Sequence, residues 1–173
     1  MTATEYVILV DEQDNEIGTA EKLSAHAKNL LHRAFSVFIF REGTTRELLI
    51  QQRALSKYHS PGLWTNTCCS HPRQGEDIVK AGERRLREEI SISANLKNVG
   101  SFHYNAHFEN GLSENEIDHV LVGTIPADTV ITLNPEEIHA FRWVTLDQVR
   151  AELAATPELF TPWFAEALAI AIL

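Results

Sequence analysis

The sequence predicts a single domain of the α/β (α+β) class, a mixed β-sheet flanked by helices. Three observations predict it. Apolar runs of strand length recur along the chain, from Tyr6–Val10 to Phe141–Val144. One strongly patterned helix stands among them, from about Asp77 to Ile90. The 173 residues carry no repeat, low-complexity tract or linker, so 1–173 reads as one domain able to bury a real core.

The elements follow in order. Tyr6–Val10 is a strand, followed by the polar turn Asp11–Asn15. Ala34–Phe40 and Leu48–Gln52 are strands joined by Arg41–Glu47, a turn with Gly and Thr. Ser56–Pro72 holds Pro, Gly and polar residues and reads as a long loop. In the helix after it, Ile78, Gly82, Leu86 and Ile90 recur every four residues with Val79 beside them, giving one apolar or small stripe. Lys80, Glu83, Arg84, Arg85, Arg87, Glu88 and Glu89 fill the outer positions. Val99–Phe108 is a strand, Glu109–Gly111 a turn, and Ile117–Ile125 a buried strand. Phe141–Val144 is a short strand. Thr145 or Asp147 caps a helix through Leu153, and Pro162 opens a last helix, Trp163–Ile172.

Composition narrows the function. Lys+Arg 15 against Asp+Glu 24 gives a net charge of −9, which argues against non-specific binding to nucleic acid or an anionic membrane. A local basic cluster still suits an anionic small molecule. The start of the chain has no basic segment ahead of an apolar run, so no signal peptide is expected, and no apolar run is long enough to span a bilayer. With two vicinal cysteines and no export signal, the expected compartment is a reducing cytoplasm.

Both cysteines lie in Trp64-Thr65-Asn66-Thr67-Cys68-Cys69-Ser70-His71-Pro72. Neighbouring residues are poorly placed to bridge each other, so both are read as thiols, one of them near an imidazole. His26, His32, His71, Glu114 and Glu116 form a donor set for a divalent ion of intermediate softness. Taken alone, three surface histidines and a solvated acidic turn account for the same residues. Glu89 follows Arg85 by four residues and shares its helix face. Lys22, Arg53, Lys57 and Arg85 are candidate phosphate-holding cations in an acidic protein. Each alone reads equally well as an ordinary surface charge.

Glu76, Arg84, Leu86, Glu88, Glu89 and Ile92 stand at the positions of a Nudix box, which this segment resembles. Ser70, Arg85 and Ser91 depart from it; Arg85 puts a cation where the box has an acid. Further motifs occur in order: Glu21-Lys22, His26, Leu31-His32-Arg33-Ala34-Phe35-Ser36, Arg53-Ala54-Leu55-Ser56-Lys57, Pro61-Gly62-Leu63-Trp64-Thr65-Asn66, Cys69-Ser70-His71-Pro72, Glu114-Asn115-Glu116 and Thr161-Pro162-Trp163. Together, over about residues 5 to 164, they resemble type I isopentenyl-diphosphate isomerases.

That resemblance implies a Nudix-type sandwich and an allylic 1,3-proton shift between isopentenyl and dimethylallyl diphosphate, a step of isoprenoid biosynthesis. It implies a divalent metal at His26, His32, His71, Glu114 and Glu116, with Mn²⁺ expected and Zn²⁺ or Mg²⁺ as alternatives. It implies Mg²⁺ between Glu89 and the diphosphate, and no flavin. Cys69 aligns with the family's reacting thiol, and Cys68 is expected to be buried and inert. Glu116, close to Tyr104, and Cys69 are expected to be the acid–base pair, Glu116 delivering one proton and a Cys69 thiolate taking the other or the two roles exchanged, as they must be in the reverse direction; Trp163 faces the cation. Lys22, Arg53, Lys57 and Arg85 are expected to hold the diphosphate. At Ser70, where the family has Gly, a local backbone adjustment is expected. The partner is a small diphosphate, with no nucleic acid and no membrane, on a monomer or weak homodimer. The competing enzyme is a Nudix pyrophosphohydrolase. The competing non-enzyme is a silent Nudix-like binding module.

Overall fold

The structure, a computed structural model, describes residues 4–57 and 59–173. Among the described residues, nine strands and four α-helices occur in the order β1 (Tyr6–Val10), β2 (Glu16–Glu21), α1 (Lys22–Ala27), β3 (His32–Arg41), β4 (Glu47–Arg53), β5 (Trp64–Thr65), β6 (Cys68–Ser70), α2 (Ile78–Ile90), β7 (Lys97–His107), β8 (Ser113–Ile125), β9 (Ile138–Thr145), α3 (Leu146–Ala155) and α4 (Phe164–Ala171). A 3₁₀ turn, Pro157–Leu159, precedes α4.

The centre of the sheet is β3. It pairs antiparallel with β4 and β6 and parallel with β8 over the run from His32↔Glu116 to Arg41↔Ile125. A parallel strand at the centre of a sheet is covered on both faces, so β3 reads as one apolar run and not as an alternation. Its side chains still separate by parity. Phe35, Val37 and Ile39 join Leu86 and Ile90 of α2 in one core cluster, while Phe38 and Phe40 join Val149 of α3 and Phe164 and Leu168 of α4 in the other. The result is the three-layered mixed sheet flanked by helices that the sequence predicts.

α2 begins where expected, with Asp77 accepting from the backbone N–H groups of Val79 and Lys80. Gly82 belongs to its inward stripe for a steric reason. A Cβ there would stand 2.6 Å from Leu121 Cδ1 and 2.9 Å from Leu96 Cδ1. The helix ends on Ser91 in the left-handed region, at φ 58° and ψ 37°.

Four details depart from the sequence reading. The polar stretch 16–21 is a strand, because Glu16–Glu21 is an edge whose place is set by backbone pairing with β1 and not by an apolar face. The six residues of α1 are too few for a periodic signal. The expected long loop 56–72 contains β5 and β6, which extend the sheet from β4 and β3. Ser70 needs no backbone adjustment; it is extended and paired with Phe35. Of the box departures, Ser91 is the one that meets backbone favouring glycine.

Candidate active site

The parity that turns Phe38 and Phe40 toward α4 turns His32, Ala34 and Ser36 toward the open end of the same face. Parallel pairing sets His32 opposite Glu116 and Ala34 opposite Asp118, and antiparallel pairing sets Cys69 opposite Ser36 and Tyr104 opposite Glu116. Four strands, β3, β6, β7 and β8, thus deliver chemistry-bearing side chains to one wall. On β6 the alternation parts the two cysteines. Cys68 is fully buried in the cluster under α2, and Cys69 lines a cavity. Both are free thiols.

That cavity is also lined by Lys22, Arg53, Lys57, Arg85, His71, Glu114, Glu116 and Trp163. Of the remaining expected site residues, His26, His32, Tyr104 and Glu89 are buried behind this surface.

At one pole the ligand-capable atoms of His26, His32 and His71 lie within 4.8 Å of one another. His26 Nδ1–H donates to the Ser113 carbonyl at 2.9 Å and His32 Nδ1–H to the Leu30 carbonyl at 2.8 Å, so each ring presents Nε2 to the cluster. His32 Nε2 and His71 Nε2 lie 3.0 and 2.8 Å from the same Glu116 oxygen. Burial works against charge on all three rings. It wins at His26 and His71, which are pushed down; at His32 the Glu116 carboxylate wins and the ring is pushed up. Glu116 is held below the usual range despite its burial, through the hydrogen bond and charge of His32. Two neutral imidazoles, a third paired to a carboxylate, and Glu114 nearby form a nitrogen–oxygen donor set that fits a divalent cation.

At the other pole, cations meet carboxylates. Lys22 pairs with Glu5 at 3.1 Å and Lys57 with Glu137. Arg85 reaches Glu88 at 2.7 Å, Glu89 at 3.0 Å and Glu137 at 3.4 Å. Glu89 is buried and pushed up to about 7 by that burial, against the pull of Arg85. Arg53 differs: it donates to the His59 carbonyl at 3.2 Å, and its Nε has no partner among the described residues.

Cys69 is strongly shifted. Burial and the charge of Asp118 push its thiol up to about 12, and the sulfur donates to Asn66 Oδ1 at 3.3 Å. Tyr104 has no hydrogen-bond partner for its hydroxyl among the described residues, and its ring meets Trp163 edge-on at 6.0 Å.

Sequence reasoning missed several lining residues. Asp118 continues the alternation Glu114, Glu116 and so shares their face, a signal that was legible. It accepts from Ser36 Oγ at 2.8 Å and is raised by burial and by Glu116. His59 lies 2.6 Å from Glu114 and stacks on Phe108 at 5.1 Å; it sits in an irregular segment with no periodic signal. Glu5 and Glu137 carry no motif and are found only through their partners.

The profile of the NUDIX domain matches residues 30–164. The Isopentenyl-diphosphate Delta-isomerase of Aliivibrio fischeri (strain MJ11) is 51% identical over 166 residues, covering 93% of this chain and 91% of the relative. The chain belongs to the NUDIX domain family and, within it, to these isomerases. A relative of the same name from Photobacterium profundum is 50% identical over 171 residues, covering 97% of this chain and 94% of its own. Among solved Nudix-like folds, a Deinococcus radiodurans protein superposes with a TM-score of 0.65 at 23% identity, over 87% of this chain and 90% of its own. The MutT protein of Methanosarcina mazei Go1 does so with a TM-score of 0.63 at 17% identity, over 79% and 89%. These two likenesses concern the fold alone. In the Nudix box of this chain, Arg84 binds Glu76 at 2.8 Å and Glu88 at 3.1 Å, and Arg85 lies among Glu88, Glu89 and Glu137. No helix among the described residues is long and apolar enough to cross a membrane.

Proposed function

We propose that this cavity interconverts isopentenyl and dimethylallyl diphosphate by protonating the alkene at one end of the allyl unit and removing a proton at the other. The observation that carries this is the lining of a single cavity. The Cys69 thiol, the Glu114 and Glu116 carboxylates and the Trp163 indole share it with Lys22, Arg53, Lys57 and Arg85. The cations hold the diphosphate, whose charge anchors a small apolar tail with few handles of its own.

An unactivated alkene is a very weak base, so its protonation needs a well-aimed acid and a dry surrounding. Cys69 and Glu116, with Tyr104 beside the carboxylate, are the acid–base pair. The thiol carries its proton at rest, which suits it to give one to the alkene, while Glu116 is ionised and suits removal. The roles exchange in the reverse direction. Trp163 presents its π-face to the tertiary cation, an interaction of about 2 kcal/mol when desolvated. Exclusion of water keeps that cation from being captured as an alcohol.

His26, His32, His71, Glu114 and Glu116 would hold a divalent ion, Mn²⁺ by preference with Zn²⁺ or Mg²⁺ as alternatives, and Glu89 would share Mg²⁺ with the diphosphate. Bound there, the ions supply positive charge that fixes Glu116 and neutralises the diphosphate. The surroundings are taken to be a reducing cytoplasm, where both thiols persist.

Incubation with isopentenyl diphosphate in D₂O tests the reading. Dimethylallyl diphosphate carrying deuterium is expected. Release of phosphate without isomer would indicate the pyrophosphohydrolase instead. Against that alternative stands Arg85, whose guanidinium lies among the box carboxylates.

A further inference from the structure

The motif ending in Trp64-Thr65-Asn66 contributes no group to the chemistry above, yet its last side chain touches two that do. Asn66 is fully buried. Its Nδ2 donates to the carbonyls of Val37 at 3.1 Å and Cys68 at 2.8 Å. Both partners can only accept, so the amide nitrogen must face them and the oxygen must face the other way. That oxygen accepts from the Thr65 hydroxyl at 2.8 Å, the Trp163 indole N–H at 3.1 Å and the Cys69 thiol at 3.3 Å. Thr161 in turn donates to the Thr65 hydroxyl at 2.8 Å, which ties the segment leading into α4 to the same point.

We propose that Asn66 is a positioning residue for the isomerisation: one carboxamide oxygen fixes the sulfur of Cys69 and the indole of Trp163 relative to each other. The inference rests on the proposed isomerisation. The two side chains come from distant parts of the chain, β6 and the turn before α4. One alkene carbon must receive a proton from the first while the charge that develops on its neighbour faces the second. A fixed separation between them is what the reaction requires, and small misplacements of such groups are costly. The choice of residue follows. Aspartate would set a second oxygen against two carbonyls, glutamine would displace the acceptor by a methylene, and alanine would strand donors and acceptors in a buried site.

The test uses purified Asn66→Ala and Asn66→Gln with isopentenyl diphosphate, with rates expressed per folded molecule. A kcat loss of about 100-fold is expected, from misplacement of the reacting groups. KM should stay within about twofold, because the hydrogen bonds of Asn66 go to none of Lys22, Arg53, Lys57 or Arg85. The rate at which iodoacetamide alkylates native Cys69 should also change. Trp163→Phe keeps an aromatic face but deletes the indole donor, so it remains informative if both Asn66 variants fail to fold. It should lower kcat about tenfold at unchanged KM. Normal kcat per folded molecule in an Asn66 variant, or in Trp163→Phe, would overturn the proposal. So would a rise in KM with kcat intact. If the parent protein made no dimethylallyl product, the isomerase reading itself would have failed, and this result is distinguishable from any variant's loss.

Discussion

At one pole of the cavity three imidazoles gather, two of them on a single carboxylate oxygen; at the other, Lys22, Lys57 and Arg85 each already hold a carboxylate. The first pole repels protons from two of its rings and collects lone pairs, which is what a cation needs. In the second, Glu5 and Glu137 already neutralise the cations. Arg53, with no carboxylate partner among the described residues, is the exception there. On the proposed function, the first pole would take a cation without rearrangement, whereas the second would exchange its internal carboxylates for the diphosphate's oxygens.

The sharpest way to break this division is at the acid–base pair. Cys69→Ala and Glu116→Gln should each lower kcat by about 1,000-fold or more, measured by isomer formation. KM should barely move, since the anion pole is untouched. Cys68→Ala should keep its activity while losing about 1–2 kcal/mol of stability in urea unfolding, because its sulfur fills core space. Equal damage from both cysteines would contradict the parity of β6. Next in size, dialysis against a chelator should abolish turnover, and readdition of Mn²⁺ or Mg²⁺ should restore it; undiminished activity in chelator would mean the histidine pole holds no ion. At the other pole, Arg53→Ala should raise KM about tenfold and exceed Lys22→Ala, which also releases Glu5. A larger effect at Lys22 would reverse the ranking. The smallest expected effect lies at the end of α2, the helix that carries Arg85 and Glu89. Ser91→Gly relieves left-handed backbone and should raise stability by about 0.5–1 kcal/mol, or Tm by about 2 °C, with kcat unchanged.

The sequence made some of this legible and hid the rest for physical reasons. α2 was visible because its buried stripe repeats every four residues, and its Asp77 cap was local. β3 and β8 were visible as long apolar runs. β2 was hidden because an edge strand held by backbone bonds alone leaves no side-chain pattern. His26, His32, His71, Glu114 and Glu116 were recognisable as ligand types, but their convergence depends on which strands pair and in what register. The thiol state of Cys69 and the role of Asn66 were out of reach, since both depend on partners brought in by the fold.

The parallel register of β3 on β8 also bears on the order of folding. His32 meets Glu116 across 84 residues of chain, and Asn66 meets Trp163 across 97. Contacts so distant in sequence carry a large loop-closure cost and form late. The histidine pole therefore cannot seed the fold. A divalent ion bound there would recognise a chain whose central pairing is already complete, so the stabilisation it adds should appear as slower unfolding, with the refolding rate little changed.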